Sequence, residues 1–220
     1  MGKVSFRDDR RVCDYEKKRY RGWIQRRISK WEMRIVERIL KRIGIGGARI
    51  LDIPCGYGRF SDIIQKCGAT FIAGDISRDM VIRAAAMSFP RRLEPSESAG
   101  YLVADASQIP LADKSVDGAI SIRLFQHLFD STLRVRSLRE FGRVSRRFVI
   151  LTFYERGGLH SLQRLIKRKT KYTRKHIEFL SHFQFRSEAE AAGLNLLGVF
   201  PLRHLFHAQC FALLMPRKSD

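Results

Sequence analysis

The chain has 220 residues, 45% of them hydrophobic, which is enough for a domain of ordinary size with a buried core and excludes wholesale disorder. Its 42 lysines and arginines outnumber its 22 aspartates and glutamates, and the net charge of +20 favours contact with nucleic acid, a phosphorylated metabolite or an acidic membrane surface. The sequence has no apolar run long enough for a transmembrane segment, no apolar N-terminal stretch typical of a secretory signal, and only four scattered cysteines. We therefore expect a cytoplasmic protein without a metal site or a disulfide framework.

The basic residues are concentrated in two segments. Residues 1–44 contain 15 basic and 6 acidic residues, and residues 141–180 contain 11 and 2, whereas residues 45–140 are nearly balanced, with 12 and 11. Runs of charge are often only the solvated faces of helices. Alternatively, the two segments meet in space and form one surface for an anionic partner.

Residues 1–44 are predicted to be a basic N-terminal arm followed by an amphipathic helix. Apolar residues recur every three or four positions, the pattern of a helix with one buried face; they are Trp23, Ile24, Ile28, Trp31, Ile35, Ile39 and Ile43. Gly44 is well placed to end the helix. We therefore expect the two tryptophans to belong to the core and the arginines and lysines to lie on the other faces.

From Gly47 onward, short apolar segments alternate with helical ones. Strands are predicted at 48–54, 69–73, 101–104, 116–122 and 148–153, and helices at 59–67, 78–88 and 131–144. Strands that alternate with helices at this spacing indicate an α/β fold with a parallel, doubly wound sheet.

The ends of the first two predicted strands carry the main functional signal. The turn Cys55-Gly56-Tyr57-Gly58 follows the first strand, and its glycines let the backbone approach a ligand at the start of the next helix. Asp75 ends the second strand, where a carboxylate can accept hydrogen bonds from ribose hydroxyls. The pattern predicts a nucleotide-like cofactor at the carboxyl ends of the strands.

Three segments, in order, resemble motifs of the Rossmann-like S-adenosylmethionine-dependent methyltransferases, particularly the type 11 or ubiquinone-biosynthesis-like group. LDIPCGYGRF (51–60) resembles motif I, GDIS (74–77) the acidic motif II, and ADASQIPLADKSVDGAISIRLFQHL (104–128) the stretch that follows. The resemblance covers residues 47–155. Pro54 stands where the family has its first glycine, and proline removes a backbone donor. A nicotinamide dinucleotide enzyme, the alternative within this architecture, would need three glycines and a small residue where Phe60 stands.

The resemblance implies S-adenosyl-L-methionine as the cofactor. Asp52 would contact its amino acid part, although the same carboxylate could instead cap the turn, and Asp75 would hold the ribose. Ile76 would lie against the adenine, and Asp105 would accept from its exocyclic amine unless it only caps a turn. The full expected cofactor set is Asp52, Pro54, Cys55, Gly56, Gly58, Asp75, Ile76, Asp105, Ala106 and Ile122.

The residues that follow the fourth strand are expected to face the acceptor. His127 is either structural or a general base that deprotonates an acceptor hydroxyl. Arg123 either pairs with an anionic acceptor or bridges to a carboxylate of the cofactor site. Tyr154 and His160 are further candidates for substrate contact. Methyl transfer depends mainly on positioning, so the assignment does not require a base.

The chain is expected to consist of four segments, of which only the cofactor-binding core and the closing strands follow from the resemblance. Residues 1–44 form the arm and helix, and 45–155 the cofactor-binding core. Residues 156–185 form a basic insert that would cover the acceptor as a lid, and 186–220 a closing helix and strands. The helix is expected at 187–192 and the strands at 194–201 and 209–215. They complete a mostly parallel seven-stranded sheet with helices on both faces and an antiparallel last strand.

Three functions remain open at this point. The leading one is methyl transfer to oxygen or nitrogen of a small or lipid-linked, anionic acceptor. The second is an RNA-modifying methyltransferase that grips phosphates with the basic segments, and the third is a binding protein without turnover. No Asn/Asp-Pro-Pro-Tyr/Phe motif and no Pro-Cys pair follow the fourth strand, which argues against amino methyltransferases of adenine and cysteine-dependent cytosine methyltransferases.

Overall fold

The computed structural model describes residues 23–88, 99–156, 177–203 and 207–217. The chain divides into two compact units, Met1–Ala106 and Ser107–Asp220. The N-terminal arm up to residue 22 and residues 157–176 of the expected insert lie outside the described residues.

The first unit alternates helices and parallel strands. Its elements are α1 (Trp23–Ile43), β1 (Arg49–Asp52), α2 (Ser61–Lys66), β2 (Thr70–Asp75), α3 (Arg78–Ser88) and β3 (Ala99–Val103). β1 pairs with β2 and β2 with β3, both in parallel. Ile50, Leu51, Phe71 and Ala73 are buried, as expected for strands of a sheet that is covered on both faces.

The second unit begins in the same manner and closes with antiparallel pairing. Its elements are β4 (Val116–Ser121), a 3₁₀ helix (Phe125–His127), α4 (Ser131–Val144), β5 (Ser145–Tyr154), α5 (His182–Ala191), β6 (Leu194–Arg203) and β7 (His207–Pro216). β4 and β5 are parallel, whereas β7 runs antiparallel to both β5 and β6. The side chain of Asp130 caps α4 by accepting from the backbone N–H of Thr132 at 2.8 Å.

The strand order of the seven-stranded sheet is β3-β2-β1-β4-β5-β7-β6. The predicted fold class, a doubly wound, mostly parallel seven-stranded sheet with an antiparallel last strand, is confirmed. Among the described residues, no helix is long and apolar enough to cross a membrane.

The buried face of α1 differs from the prediction. Trp23 is 65% exposed, so its placement in the core was wrong, and Trp31 is only half-buried. The face that packs against the protein instead includes Glu32, Val36 and Leu40, all fully buried. This face is rotated by about one residue position, or roughly 100°, because Glu32 has a buried ion-pair partner, whereas the exposed Trp23 ring lies against the Arg27 guanidinium.

Helix α5 begins at His182, five residues before its predicted start and inside the segment expected to be the insert. The physical reason is the cap. The Ser181 side chain accepts a hydrogen bond from the backbone N–H of Gln184 at 3.0 Å, so Ser181 rather than Ser187 starts the helix.

A buried ion pair joins α4 to α5. Arg134, 1% exposed, donates from Nε and Nη2 to the two carboxylate oxygens of Glu188 at 2.8 and 2.6 Å. Its Nη1 donates to the carbonyl oxygens of Leu128 and Phe129 at 2.8 and 3.1 Å. The guanidinium therefore fixes both helices and the loop that follows the 3₁₀ helix.

We predict that Glu188→Ala lowers the free energy of unfolding by about 3–5 kcal/mol, because it leaves the Arg134 charge buried without its partner. Urea denaturation measures this loss. Glu190→Ala is the matched control, since Glu190 on the same helix forms an exposed pair with Arg186 and should cost at most about 1 kcal/mol. Equal losses in the two variants would contradict the prediction.

Candidate functional site

The turn after β1 has the backbone geometry that its glycines allow. Gly56 and Gly58 have φ values of +56° and +80°, in the left-handed region that favours glycine. A Cβ at Gly58 would lie 3.2 Å from the Cβ of Ala84, so the turn also packs closely against α3. The backbone N–H of Cys55 donates to the carbonyl oxygen of Gly74 at 2.7 Å. The turn is thereby attached to the end of β2.

Asp75 connects the end of β2 to the same turn. Its carboxylate is 7% exposed and accepts from the backbone N–H groups of Gly56 at 3.0 Å and Ser77 at 2.9 Å. Burial raises the pKa of Asp75, and the hydrogen bonds from Ser77 and Gly56 counteract part of that rise. A carboxylate oxygen has more than one acceptor position, so Asp75 can hold the turn and still accept from a ligand hydroxyl.

Asp52 ends β1 and is 2% exposed. Burial raises the pKa of Asp52 to about 8; the positive charge of Arg59 lowers it, and the neighbouring Asp75 raises it. No described residue forms a hydrogen bond to Oδ1 of Asp52, and the turn that Asp52 was expected to cap is held by Asp75 instead. A buried acceptor oxygen of this kind fits a donor that a ligand brings.

The residues expected at the adenine lie at the ends of β2 and β3. The register places Asp75 beside Val103. Ile76 and Val103 are both apolar and more than half exposed, at 56% and 53%. Asp105 is exposed and Ala106 is half-buried. The arrangement offers apolar surface and a carboxylate, which suits a flat ring that carries an amine.

Two residues of this site, Arg59 and Glu32, were missed by the sequence analysis. Nη1 of Arg59 donates to Oε2 of Glu32 at 2.7 Å and to Oγ of Ser29 at 3.0 Å, and its guanidinium lies 4.6 Å from the centre of the Phe60 ring. Helix α1 is thereby joined to the glycine turn. The available signal was one of only two acidic residues, Glu32, within a strongly basic helix, and an arginine directly after Gly58.

Pro54 and Cys55, two further members of the expected cofactor set, lie at the start of the same turn. Pro54 follows a cis peptide bond and is half-buried. Cys55 is buried, and burial raises the pKa of its thiol, so the thiol stays protonated and is a small core group rather than a nucleophile.

Ile122 and Arg123 follow β4 in the second unit. Ile122 is buried, and Arg123 has a φ of +66°, which is uncommon for a residue other than glycine. The backbone N–H of Arg123 donates to Oγ1 of the buried Thr152 at 2.7 Å, which stabilises this conformation. Backbone of this kind is concentrated at functional sites.

The other candidates for acceptor contact differ from one another. His127 is exposed at the end of the 3₁₀ helix, with Nε2 3.2 Å from Nε2 of Gln126. Tyr154 packs edge-on against Phe179 at 5.7 Å between ring centres and lies 5.8 Å from the His207 ring. His160 lies outside the described residues.

The first unit thus brings together Asp52, Cys55, Gly56, Gly58, Asp75 and Ile76 at the ends of β1 and β2, whereas the acceptor-side candidates belong to the second unit. Residues 51–152 match the family described as "Methyltransferase domain".

Curated relatives and solved structures share this similarity. Methyltransferase GfsG of Streptomyces halstedii is 29% identical over 171 residues, 74% of this chain and 59% of that protein. O-methyltransferase rstn1 of Aspergillus nomiae is 27% identical over 127 residues, 56% of each. The magnesium protoporphyrin IX methyltransferase of Synechocystis PCC 6803, crystallised with bound SAH, superposes with a TM-score of 0.76 at 18% identity and covers 95% of this chain and 100% of its own. The chain spans less than two thirds of the two curated relatives, and the solved structure supports the fold.

We predict that Asp52→Asn stabilises the free protein relative to the wild type at about pH 8, and progressively less toward pH 4. With its raised pKa, folded Asp52 keeps a proton that the unfolded chain releases above the ordinary value of 3.8. Wild-type stability therefore falls as pH rises between about 4 and 8, and the uncharged asparagine removes this dependence. Urea denaturation at several pH values measures the difference. Asp62→Asn on α2 is the control, and the same pH dependence in both variants would contradict the assignment to Asp52.

Proposed function

We propose that this protein, whose residues 51–152 match the family described as "Methyltransferase domain", transfers a methyl group from S-adenosyl-L-methionine to an oxygen or nitrogen atom of an anionic acceptor, small or lipid-linked. The observation that carries the proposal is the pair of buried carboxyl groups, Asp52 and Asp75, at the ends of adjacent strands. The glycine turn lies between them in the chain and is held by Asp75.

Each part of the cofactor has a chemically suitable group in the first unit. Oδ1 of Asp52 would accept from the ammonium of the methionine arm, and Asp75 would accept from the ribose hydroxyls. Ile76 and Val103 would lie against the adenine, with Asp105 as acceptor for its amine. Gly56 keeps a side chain out of the open space beside the turn, where the cofactor would lie, whereas Gly58 lets the turn pack against α3.

Methyl transfer requires little of the protein beyond correct placement of the cofactor and the acceptor. The bound cofactor supplies a methyl group that its sulfonium has already activated, so the protein residues mainly orient the acceptor and exclude water. His127, exposed on the second unit, would take the proton of an acceptor hydroxyl. Arg123 would pair with the negative charge of the acceptor.

The nature of the acceptor is inferred from charge and from one relative. A net charge of +20 favours an anionic substrate. The relative from Aspergillus nomiae is named as an O-methyltransferase, which supports oxygen as the methylated atom.

We predict that S-adenosylhomocysteine binds with one site per chain and that Asp75→Ala weakens binding by about 1–3 kcal/mol, because a charged hydrogen-bond acceptor is lost. Isothermal titration calorimetry measures both quantities, with Asp62→Ala as the control. Unchanged affinity in Asp75→Ala would remove Asp75 from the site. Labelled cofactor incubated with cell extract and the protein, followed by mass spectrometry, identifies the methylated acceptor.

The outer face of α1 favours a second candidate, methyl transfer to RNA. The basic residues of this face follow one another at steps of one to four positions, and all are exposed: Arg26, Arg27, Lys30, Arg34, Arg38, Lys41 and Arg42. From Arg27 to Arg42 the row is about 22 Å long at 1.5 Å per residue. The exposed Trp23 offers a ring for base stacking. Nucleic acid is favoured over a membrane surface because Val36 and Leu40 of α1 are fully buried against the protein and cannot insert into lipid.

For this candidate we predict that Lys30→Gln/Arg34→Gln weakens binding of a labelled single-stranded RNA and reduces the slope of log K against log salt by about 1.4, as expected for two lost phosphate contacts. Fluorescence anisotropy at several salt concentrations measures the slope. Arg136→Gln/Arg139→Gln removes the same charge from exposed positions of α4 and is the control. Equal effects of the two double substitutions would mean that the α1 residues interact only with solvent. Binding to anionic vesicles but not to RNA would indicate a membrane surface as the partner.

A further inference from the structure

We propose that Glu32 is a positioning residue of the cofactor site: it holds the Arg59 guanidinium against α1 and so leaves Asp52 available to the ammonium group of the cofactor. The inference rests on the proposed function, because only a cationic ligand gives Asp52 this use. Nothing in the glycine pattern itself points to Glu32, which lies 27 residues before Arg59 in the chain.

The hold on Arg59 is specific and buried. Its Nη1 is shared between the carboxylate of Glu32 at 2.7 Å and the hydroxyl of Ser29 at 3.0 Å. The Glu32 side chain is 0% exposed and that of Arg59 only 11%, so water screens the pair weakly. The ring of Phe60 lies 4.6 Å from the guanidinium carbon on a further side.

The charges around Asp52 are unbalanced. The titratable groups that act on Asp52 are Arg59 and Asp75, and Asp52 in turn acts on the thiol of Cys55. Among the described residues, the Arg59 guanidinium forms an ion pair with Glu32, whereas it acts on Asp52 as a nearby charge. Oδ1 of Asp52 accepts from no described residue. An ammonium group from a ligand would donate to this oxygen and place a positive charge beside Asp52.

Glu32 therefore determines with which carboxylate Arg59 pairs. In Glu32→Gln the guanidinium loses its anionic partner, and Asp52 is a carboxyl group on which it already acts electrostatically. An ionised Asp52 then pairs with Arg59 in the free protein, and the ligand ammonium must compete with that pair. In the wild type, Asp52 holds a proton near pH 7 because its pKa is raised to about 8, and this proton leaves when a cation binds.

The experiment is calorimetric titration of S-adenosylhomocysteine at about pH 7 in buffers of different ionisation enthalpy. The wild type is expected to release close to one proton, because the ammonium ionises Asp52. Glu32→Gln is expected to release almost none and to bind at least tenfold more weakly. Glu37→Gln, the same change on the exposed side of α1, where Glu37 pairs with Lys41, should behave as the wild type.

A measurement without ligand separates failure of this inference from failure of the proposed function. In the free protein, the fall in stability between about pH 4 and 8 should disappear in Glu32→Gln, as in Asp52→Asn. An unchanged pH dependence, or wild-type proton release in Glu32→Gln, overturns the role of Glu32. A wild type that loses stability with pH but binds no S-adenosylhomocysteine overturns the proposed function and, with it, the use assigned to Asp52.

Ser29→Ala covers the case in which Glu32→Gln does not fold. It removes only the second hydrogen bond of Arg59 Nη1 and leaves the buried ion pair in place. The expected change has the same direction and is smaller: proton release below that of the wild type and weaker binding. Full wild-type proton release with reduced thermal stability would mean that the cluster is only structural and would overturn the proposal.

Discussion

The need to compensate buried carboxyl groups at the ends of β1 and β2 determines the local structure of the first unit. Asp52 and Asp75 are both nearly inaccessible to water, and an isolated buried charge is costly. Asp75 is compensated by hydrogen bonds from the backbone N–H groups of the glycine turn and of Ser77. These bonds also fix the path of the glycine turn. Asp52 has no such donors among the described residues and keeps a raised pKa. The two aspartates therefore differ in role. Asp75 accepts hydrogen bonds that stabilise the turn, whereas Oδ1 of Asp52 accepts none from the described residues.

Charge has two separate uses in this protein. The exposed arginines and lysines of α1 contribute little individually, because water and salt screen them, and they matter only as a row that a polyanion could contact. The buried pairs act one at a time. Arg59 with Glu32 attaches α1 to the glycine turn, and Arg134 with Glu188 attaches α4 to α5. The large net charge of the chain comes from its basic segments, because the charges of residues 45–140 are nearly balanced.

The parts of the fold that were predicted correctly depend on local patterns. Strand segments, the glycine turn and Asp75 could be identified because alternation, turn residues and a strand-end carboxylate are encoded within a few residues. The buried face of α1 could not, because the orientation of Glu32 depends on Arg59, which lies 27 residues away. The start of α5 was wrong by five residues because Ser181 and Ser187 are equivalent caps by sequence, and only tertiary packing selects between them. The packing of Tyr154 against Phe179 and His207 is also long-range and could not be predicted from local patterns, and its contact with an acceptor stays a prediction.

The second unit also contains a buried arginine–glutamate pair, close in sequence to the acceptor-side candidate residues. Arg134 is held by Glu188 and donates to the carbonyl oxygens of Leu128 and Phe129, the two residues after His127. Arg123, at the start of this segment, is held in a left-handed conformation by Thr152. Both ends of the segment from Arg123 to Phe129 are therefore fixed from within the unit, which leaves the exposed side chain of His127 on a backbone that has little freedom. If transfer depends on placement more than on acid–base chemistry, a stiff segment of this kind matters more than the identity of any single side chain on it.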